Sequence, residues 1–403
     1  MENNDLPAVY NLQYAQQLLT ALPPSTLNIT QQYLKAKVLA FSNHPSEALA
    51  TISGITANRN DLPRLQELEA DCYLKRFEIA PPGMAAKDDL HKAENLYEWI
   101  HQHVEKYDNM GWVHYQLGRC YLFLDRVDGA AQFFRGSLTL PTVLPDLKAL
   151  TYERLGYIEF YHHRNFKQAL SMLNLAVALY PANANSQWLI QTHLFRSRVM
   201  QSIGQYEQAT QTIIYVIDYA KKTQHANLLR DVLLAASELI SEINGNEEQA
   251  LSYLGEYIDL SPVPAGHNIT WSRVQEMMGN LHYKLRHYIQ AAQCYQKAIN
   301  SNPNHPWQVS IYYRLAQCYY QQGNYQSVID TVLHLMQIVT SDGQALTDFR
   351  VYDILGSAYF ATEKYRMAAD AYQKALEYIP DTSENLEKIR LYYHFSLQLM
   401  NEA

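Results

Sequence analysis

The chain has 403 residues and a formal net charge of −8. This charge disfavours nucleic acid as the main partner, because proteins that bind phosphate backbones usually present a basic face. No apolar run reaches the roughly 18 residues of a membrane-spanning helix, and the acidic residues 1–5 lack the basic and apolar regions of a signal peptide. We therefore expect a cytoplasmic protein that is not inserted in a membrane.

The cysteines give no sign of a metal site or a disulfide framework. Cys72, Cys120, Cys294 and Cys318 include no CxxC spacing, so we expect four buried, small apolar side chains in a reducing compartment. The chain also lacks the phosphate-binding GxxxxGK[ST] loop, the GxSxG elbow and the HExxH motif. The sequence therefore predicts no metal, no cofactor and no catalytic residues, and an enzyme would require distant residues to converge.

The fifteen prolines all fall where a helix would begin or end, and the strand-like alternation of apolar and polar residues is absent. The fold is therefore predicted to be all-α. Towards the amino terminus the periodicity predicts helices near residues 7–22, 27–41, 45–53, 65–77 and 88–107. Beyond residue 380, Asp381-Thr-Ser-Glu384 has the composition of a capping box and predicts a last helix that runs to about Met400.

One pattern recurs between residues 108 and 380. Its clearest copy has Leu355-Gly356 in one helix and Ala368 and Tyr372 in the next, and it ends at Pro380. Gly356 and Ala368 are small where two helix backbones must approach, whereas Tyr372 fills the space beside them. Pro380 cannot continue the second helix and ends it. The other copies are marked by Leu117-Gly118, Leu155-Gly156, Gly204, Gly245, Gly279 and Leu315-Ala316.

This pattern resembles the tetratricopeptide repeat (TPR), a helix–turn–helix unit whose usual period is 34 residues; several connections between copies are longer here. The resemblance implies an all-α, right-handed TPR-like solenoid, because one such hairpin cannot bury its own apolar face and needs neighbours. We predict three regions: helices with degenerate repeats in residues 1–107, about seven repeats in residues 108–380, and a C-terminal capping helix in residues 381–403.

In TPR-like arrays the first helix of each unit lines the concave surface, so the resemblance implies that the stripe offset from the Leu-Gly face meets a ligand. Positions on such a stripe recur every three or four residues. Tyrosine, tryptophan and arginine, which are enriched at binding hot spots, dominate it. The predicted groove consists of Trp112, Tyr115, Arg119, Phe123, Glu153, Tyr157, Tyr161, Arg198, Arg273, Asn280, Tyr283, Tyr313, Gln317, Tyr320 and Arg350. The alternative is that some of these residues pack against the neighbouring repeat.

The sequence favours a non-catalytic adaptor or scaffold that binds an extended peptide or a helix of another protein in this groove. The aromatic side chains would supply contact area, and the arginines would orient acidic or carbonyl groups. A clamp for carboxylate-terminated chaperone tails fits less well, because Glu276 and Asp353 lie among the groove arginines. Two alternatives remain: a regulator whose superhelix changes pitch on binding a ligand, and an accessory subunit of an enzyme complex.

Overall fold

A computed structural model gives the fold of residues 29–55, 63–81, 87–180, 186–222, 226–243, 245–261, 268–302, 308–341, 343 and 345–402. Within these ranges all regular secondary structure is helical, which confirms the predicted all-α fold. The helix predicted at residues 7–22 lies outside the described residues. No helix in the described ranges is long and apolar enough to cross a membrane.

The described ranges contain nineteen helices. They are α1 (Ile29–Phe41), α2 (Pro45–Ser53), α3 (Pro63–Ile79), α4 (Lys87–His103), α5 (Met110–Phe123), α6 (Val127–Thr139), α7 (Pro145–Tyr161), α8 (Phe166–Leu179), α9 (Ser186–Ser202), α10 (Tyr206–Lys222), α11 (Ala226–Ser241), α12 (Glu247–Asp259), α13 (Ile269–Lys284), α14 (Tyr288–Ser301), α15 (Gln308–Gln321), α16 (Tyr325–Ser341), α17 (Phe349–Ala361), α18 (Tyr365–Tyr378) and α19 (Leu386–Glu402). The helices predicted at 27–41, 45–53, 65–77 and 88–107 correspond to α1, α2, α3 and α4.

Consecutive helices pack as helix–turn–helix pairs, as the repeat pattern predicts. The closely packed neighbours include α1 with α2, α3 with α4, α5 with α6, α7 with α8, α9 with α10, α13 with α14, α15 with α16 and α17 with α18. α14 also packs closely on α15, and α18 on α19. The chain divides into two compact units, Met1–Leu228 and Leu229–Ala403. The first unit contains α1 to α10, and the second begins within α11. The three regions expected from the sequence stay a prediction.

A glycine on the first helix of several pairs receives a ring from the second helix. A Cβ atom added to Gly356 would lie 2.8 Å from the ring of Tyr372, and one added to Gly279 would lie 2.7 Å from the ring of Tyr295. Gly118 meets Phe134 in the same way, at 2.6 Å. Because real Cβ contacts are longer than this, each glycine is the residue that lets the ring seat against the helix backbone.

The helix turns share a second local feature, a residue with positive φ just after the first helix. Gly204 and Gly323 adopt φ values of 80° and 73°, and Glu363 adopts 61°. The amide of the next residue then donates back across the end of the helix, as Lys364 N does to Tyr359 O at 2.9 Å. This hydrogen bond satisfies a carbonyl that the helix leaves unpaired and reverses the chain for the second helix.

The predicted start of the last helix is wrong. α19 begins at Leu386 and not at the proposed capping box that starts at Asp381. Ser383 N donates to Pro380 O at 2.9 Å, and Leu386 N donates to Ser383 O at 3.1 Å. The segment therefore forms two successive turns, and the Ser383 hydroxyl accepts from Asn385 N at 3.3 Å outside any helix.

Glycine-to-alanine substitutions test the ring contact with a matched pair. Gly356→Ala should lower the free energy of unfolding by about 1–3 kcal/mol, because the new methyl group forces the buried Tyr372 ring to move. Gly255 lies inside α12 with no atom within 4 Å of its Cβ position. Gly255→Ala should therefore raise the free energy of unfolding by up to about 1 kcal/mol through helix propensity.

The two variants are compared by urea unfolding and by hydrogen exchange resolved along the chain. In an array coupled through nearest neighbours, Gly356→Ala should raise the hydrogen-exchange rate mainly in α17, α18 and the helix pairs next to them. Equal stability changes in the two variants, or exchange that rises uniformly along the whole chain, would contradict this account of the repeat.

Candidate functional site

Two adjoining cavities lie between the helices of the first unit. The arginine cavity, of about 420 Å³, is lined from α3, α5, α7 and α9 by side chains that include Lys75, Glu78, Trp112, Tyr115, Arg119, Glu153, Arg154 and Gln191. The acidic cavity, of about 260 Å³, is lined by side chains that include Lys37, Glu67, Asp108, Asp146, Leu147 and Val143. The two cavities share Asp71, Trp112, Leu150 and Trp188.

The arginine cavity brings together four predicted groove residues, Trp112, Tyr115, Arg119 and Glu153. Arg119 forms an ion pair with Glu78, and its guanidinium carbon lies 5.8 Å from the centre of the Tyr115 ring. Burial and the neighbouring Arg154 lower the pKa of Arg119 to about 10. The guanidinium therefore stays charged at neutral pH and can still donate hydrogen bonds.

Tyr115 has a different place from the one predicted. Its side chain is only 4% exposed, and its ring lies 5.8 Å from the ring of Phe134 on α6. The prediction that Tyr115 lies off the packing face is wrong, because the residue belongs to the core between α5, α6 and α7. It forms the floor of the arginine cavity and holds Arg154, whose guanidinium hydrogen-bonds to its hydroxyl group.

Sequence reasoning missed Arg154. The guanidinium is largely buried and its Nε atom has no hydrogen-bond partner in the described part of the chain. Burial alone would lower the pKa of Arg154, but the neighbouring Tyr115 and Glu153 outweigh it and raise the pKa. Burial raises the pKa of Glu153, although the positive charges of Arg154 and Arg119 act to lower it. The cavity thus holds two guanidinium groups close together, a spacing that favours oxygen-rich ligands.

The acidic cavity is built around Glu67 and Asp71, one turn apart on α3, which sequence reasoning also missed. Oδ1 of Asp71 accepts hydrogen bonds from the Tyr97 hydroxyl at 2.5 Å, from Trp112 Nε1 at 3.0 Å and from Gln116 Nε2 at 3.0 Å. The donors come from α4 and α5, far from α3 in sequence. No local spacing within residues 63–79 reveals them.

Glu67 is held in the same manner. Its carboxylate accepts from the Tyr107 hydroxyl at 2.6 Å and from Asn109 Nδ2 at 2.7 Å. Burial, with Asp71 as a second cause, raises the pKa of Glu67 from 4.5 to about 7, although both hydrogen bonds and Lys37 oppose the rise. Burial likewise raises the pKa of Asp71. The two carboxyl groups are therefore oriented by neutral donors but are short of positive charge.

The remaining predicted residues of the first unit form an aromatic cluster farther along α7 and α9. The rings of Tyr157 and Tyr161 lie 4.6 Å apart, and Tyr161 stacks on Phe195 at 6.0 Å. Arg198 donates to the Tyr161 hydroxyl at 3.5 Å. Phe123, at the end of α5, is 49% exposed and contacts a ring of α3. These residues lie outside the two cavities; Tyr161, Arg198 and Phe123 are exposed, whereas Tyr157 is half-buried.

In the second unit the predicted residues pair mostly with one another and with their neighbours. Tyr313 accepts from Gln317 Nε2 at 2.7 Å, and the Arg350 guanidinium lies 5.1 Å from the centre of the Tyr313 ring. The other contacts are Arg273 with Glu238 at 2.8 Å, Asn280 with the Tyr295 hydroxyl at 2.7 Å, Tyr283 with Arg314 at 5.8 Å and Tyr320 with Tyr325 at 5.4 Å. Asn280 therefore serves the packing of α13 against α14.

The raised pKa of Glu67 links stability to pH. The folded chain binds more protons than the unfolded chain between pH 4.5 and about 7, so stability falls as the pH rises through this window. Glu67→Gln removes the titration. As the pH is raised from about 5 to about 8, the unfolding free energy of the variant relative to the wild type should rise by on the order of 3 kcal/mol.

Urea unfolding at several pH values measures this slope. The control is Asp370→Asn, which removes an exposed carboxylate from α18 and should keep the wild-type slope. If Glu67→Gln also keeps the wild-type slope, Glu67 does not titrate in the folded protein near neutral pH.

Comparisons with known proteins bear on the repeats. Two models of the tetratricopeptide repeat match the chain, one over residues 272–305 and one over residues 349–382. These segments cover most of the pair α13 with α14 and the whole of the pair α17 with α18. The C-terminal part of a TPR repeat-containing protein from Cytophaga hutchinsonii superposes with a TM-score of 0.46 at 13% identity, over 69% of this chain and 98% of that one.

Two curated relatives resemble part of the chain. The small glutamine-rich tetratricopeptide repeat-containing protein 2 of Mycosarcoma maydis is 31% identical over 126 residues, which are 31% of this chain and 33% of the relative. The Hsp70-Hsp90 organising protein of Plasmodium falciparum is 26% identical over 102 residues, which are 25% of this chain and 18% of the relative. The chain thus spans at most about a third of either relative. Two repeats are thus matched by the family models, and the same packing of a ring on a glycine recurs in the pair α5 with α6, so the chain contains tetratricopeptide repeats.

Proposed function

We propose that this protein is a non-catalytic, cytoplasmic adaptor that holds an extended segment of another protein across the arginine cavity. The observation that carries the proposal is the convergence of Trp112, Arg119 and Arg154 on one open volume of about 420 Å³. Tryptophan and arginine in a desolvated pocket are the residues that most often dominate protein binding. The four buried free cysteines are compatible with a reducing compartment.

The charges of the cavity suit a segment that offers oxygen atoms. Glu78 already pairs with Arg119, and burial favours the neutral form of Glu153. Arg154 keeps an unpartnered, buried Nε–H among the described residues. A backbone carbonyl or a carboxylate of the bound segment would satisfy this donor, and an unsatisfied buried donor costs about 1–3 kcal/mol.

The relatives support a protein partner in general terms. By its name, the Plasmodium falciparum relative organises two chaperones, Hsp70 and Hsp90. The present chain matches only 18% of that protein. The partner is obtained by co-purification and mass spectrometry, and its binding segment is then measured by isothermal titration.

Truncation of the central aromatic residue should weaken the complex. Trp112→Ala should cost about 2 kcal/mol or more of binding free energy if Trp112 is an anchor, which is more than tenfold in the dissociation constant. Because Trp112 also donates a hydrogen bond to Asp71, the melting temperature of the variant is measured together with each binding isotherm. Tyr121→Ala is the folding control, since Tyr121 packs on Phe133 at 5.0 Å outside the cavity.

A blocking substitution separates binding from folding. Gln191 lines the arginine cavity and is exposed, so Gln191→Trp should occupy the cavity without disturbing the core. We expect at least about a tenfold loss of affinity and an unchanged melting temperature. Gln211→Trp, on the exposed face of α10, should bind as the wild type does. A partner that binds Gln191→Trp and Trp112→Ala with wild-type affinity uses another surface, and the proposal then fails.

A further inference from the structure

The acidic cavity is lined by more carboxyl groups than basic side chains. Burial raises the pKa values of its lining carboxyl groups Glu67, Asp71 and Asp146. Asp108 also lines the cavity, but it is exposed and forms an ion pair with Arg64 at 3.8 Å. Among the described residues that line the cavity, Lys37 supplies the positive charge. Carboxylates that are taken out of water without enough counter-charge are destabilised. The cavity therefore favours a cationic occupant and disfavours an anionic one.

The walls of the cavity suit an apolar stem. Trp112 and Trp188 line it together with Leu147, Leu150 and Val143. A volume of about 260 Å³ corresponds to roughly eight or nine water molecules in the liquid, which is the scale of one long side chain and below that of most drug-sized ligands. Indole faces attract cations in addition to apolar groups.

The hydrogen bonds to Glu67 and Asp71, the acid pair, fix the positions of their carboxyl oxygens. Tyr97, Trp112 and Gln116 hold one oxygen of Asp71, and Tyr107 and Asn109 hold Glu67. All five donors are neutral, so they orient the oxygens without cancelling their charge. A network that only joined α3 to α5 would need no open volume beside it. The open, tryptophan-walled space next to oriented carboxylates is the feature that points to a ligand.

We propose that the acidic cavity is a subsite for one basic side chain, lysine or arginine, of the segment that binds in the arginine cavity. This inference rests on the proposed function. Since the two cavities share Asp71, Trp112, Leu150 and Trp188, a side chain can enter the acidic cavity while its backbone lies over the arginine cavity. The ammonium or guanidinium head then meets Glu67 and Asp71, and its methylene stem lies along the tryptophans.

The subsite is tested first with small probes on the full chain. Trp112 Nε1–H donates to Asp71, so its indole signal in a ¹H–¹⁵N NMR spectrum reports on the cavity; Trp112→Phe assigns the signal. Titration with n-butylammonium or n-butylguanidinium should shift it saturably. Titration with 1-pentanol or butyrate at the same ionic strength should not. A missing response to both cations, or an equal response to 1-pentanol, overturns the subsite.

Matched variants place the response at the acid pair. Glu67→Gln keeps the shape of the side chain and should weaken n-butylammonium binding by about tenfold or more. Asp370→Asn removes a carboxylate from an exposed site on α18 and should leave the titration unchanged. An unchanged affinity in Glu67→Gln, with its fold confirmed by a wild-type far-ultraviolet circular dichroism spectrum, overturns the assignment.

Selection of binders from a random-peptide display library separates this inference from the proposed function. Peptides that bind the wild type but not Gln191→Trp should carry a lysine or arginine. Replacing such a lysine by norleucine should weaken binding to the wild type about tenfold and should hardly change binding to Glu67→Gln. Binders that tolerate norleucine overturn the basic subsite and leave the proposed function standing. If no selected peptide depends on Gln191, the proposed function fails, and the n-butylammonium titration decides the subsite.

Discussion

In three helix pairs, a ring seated against a glycine sets the rotation of the two helices. When Tyr372 packs on Gly356 or Phe134 packs on Gly118, the two helices of a pair approach closely and cannot turn about their axes without losing the contact. One face of each first helix is thereby committed to its partner. The rest of its circumference is left for the next pair or for a ligand.

In the first unit that remaining circumference is rich in polar groups. α3 presents Glu67 and Asp71 to α5, and α5 presents Arg119 towards α3 and α7. Polar side chains at such a depth must find partners within the protein, because each unsatisfied one costs stability. The result is a chain of hydrogen bonds that links α3, α4 and α5 and sets the walls of both cavities.

The sequence predicts the fold well and the candidate site only in part, for a physical reason. The contact of Gly356 with Tyr372 joins residues at a fixed short spacing, so it repeats as a visible pattern. The hydrogen bonds of Asp71 reach residues 26 to 45 positions away, and no pattern on α3 alone announces them. Tyr115 was misplaced because a residue close to the boundary of two helix faces can serve either one, and the approach of Phe134 decides which.

Because opposite charges are kept apart, each of the two cavities retains groups that could bind a ligand. If Arg119 paired with Asp71, its positive charge would neutralise one carboxylate of the acid pair. Instead, Arg119 forms an ion pair with Glu78, and Arg154 hydrogen-bonds to the Tyr115 hydroxyl. Asp71 accepts a hydrogen bond from the uncharged Tyr97 hydroxyl. Each carboxyl group of the acid pair then depends on a proton, on Lys37 or on a bound cation for its neutralisation. A proton and a cationic side chain would compete for the same carboxyl oxygens of Glu67 and Asp71. The binding of a cation at the acid pair should therefore weaken as the pH falls.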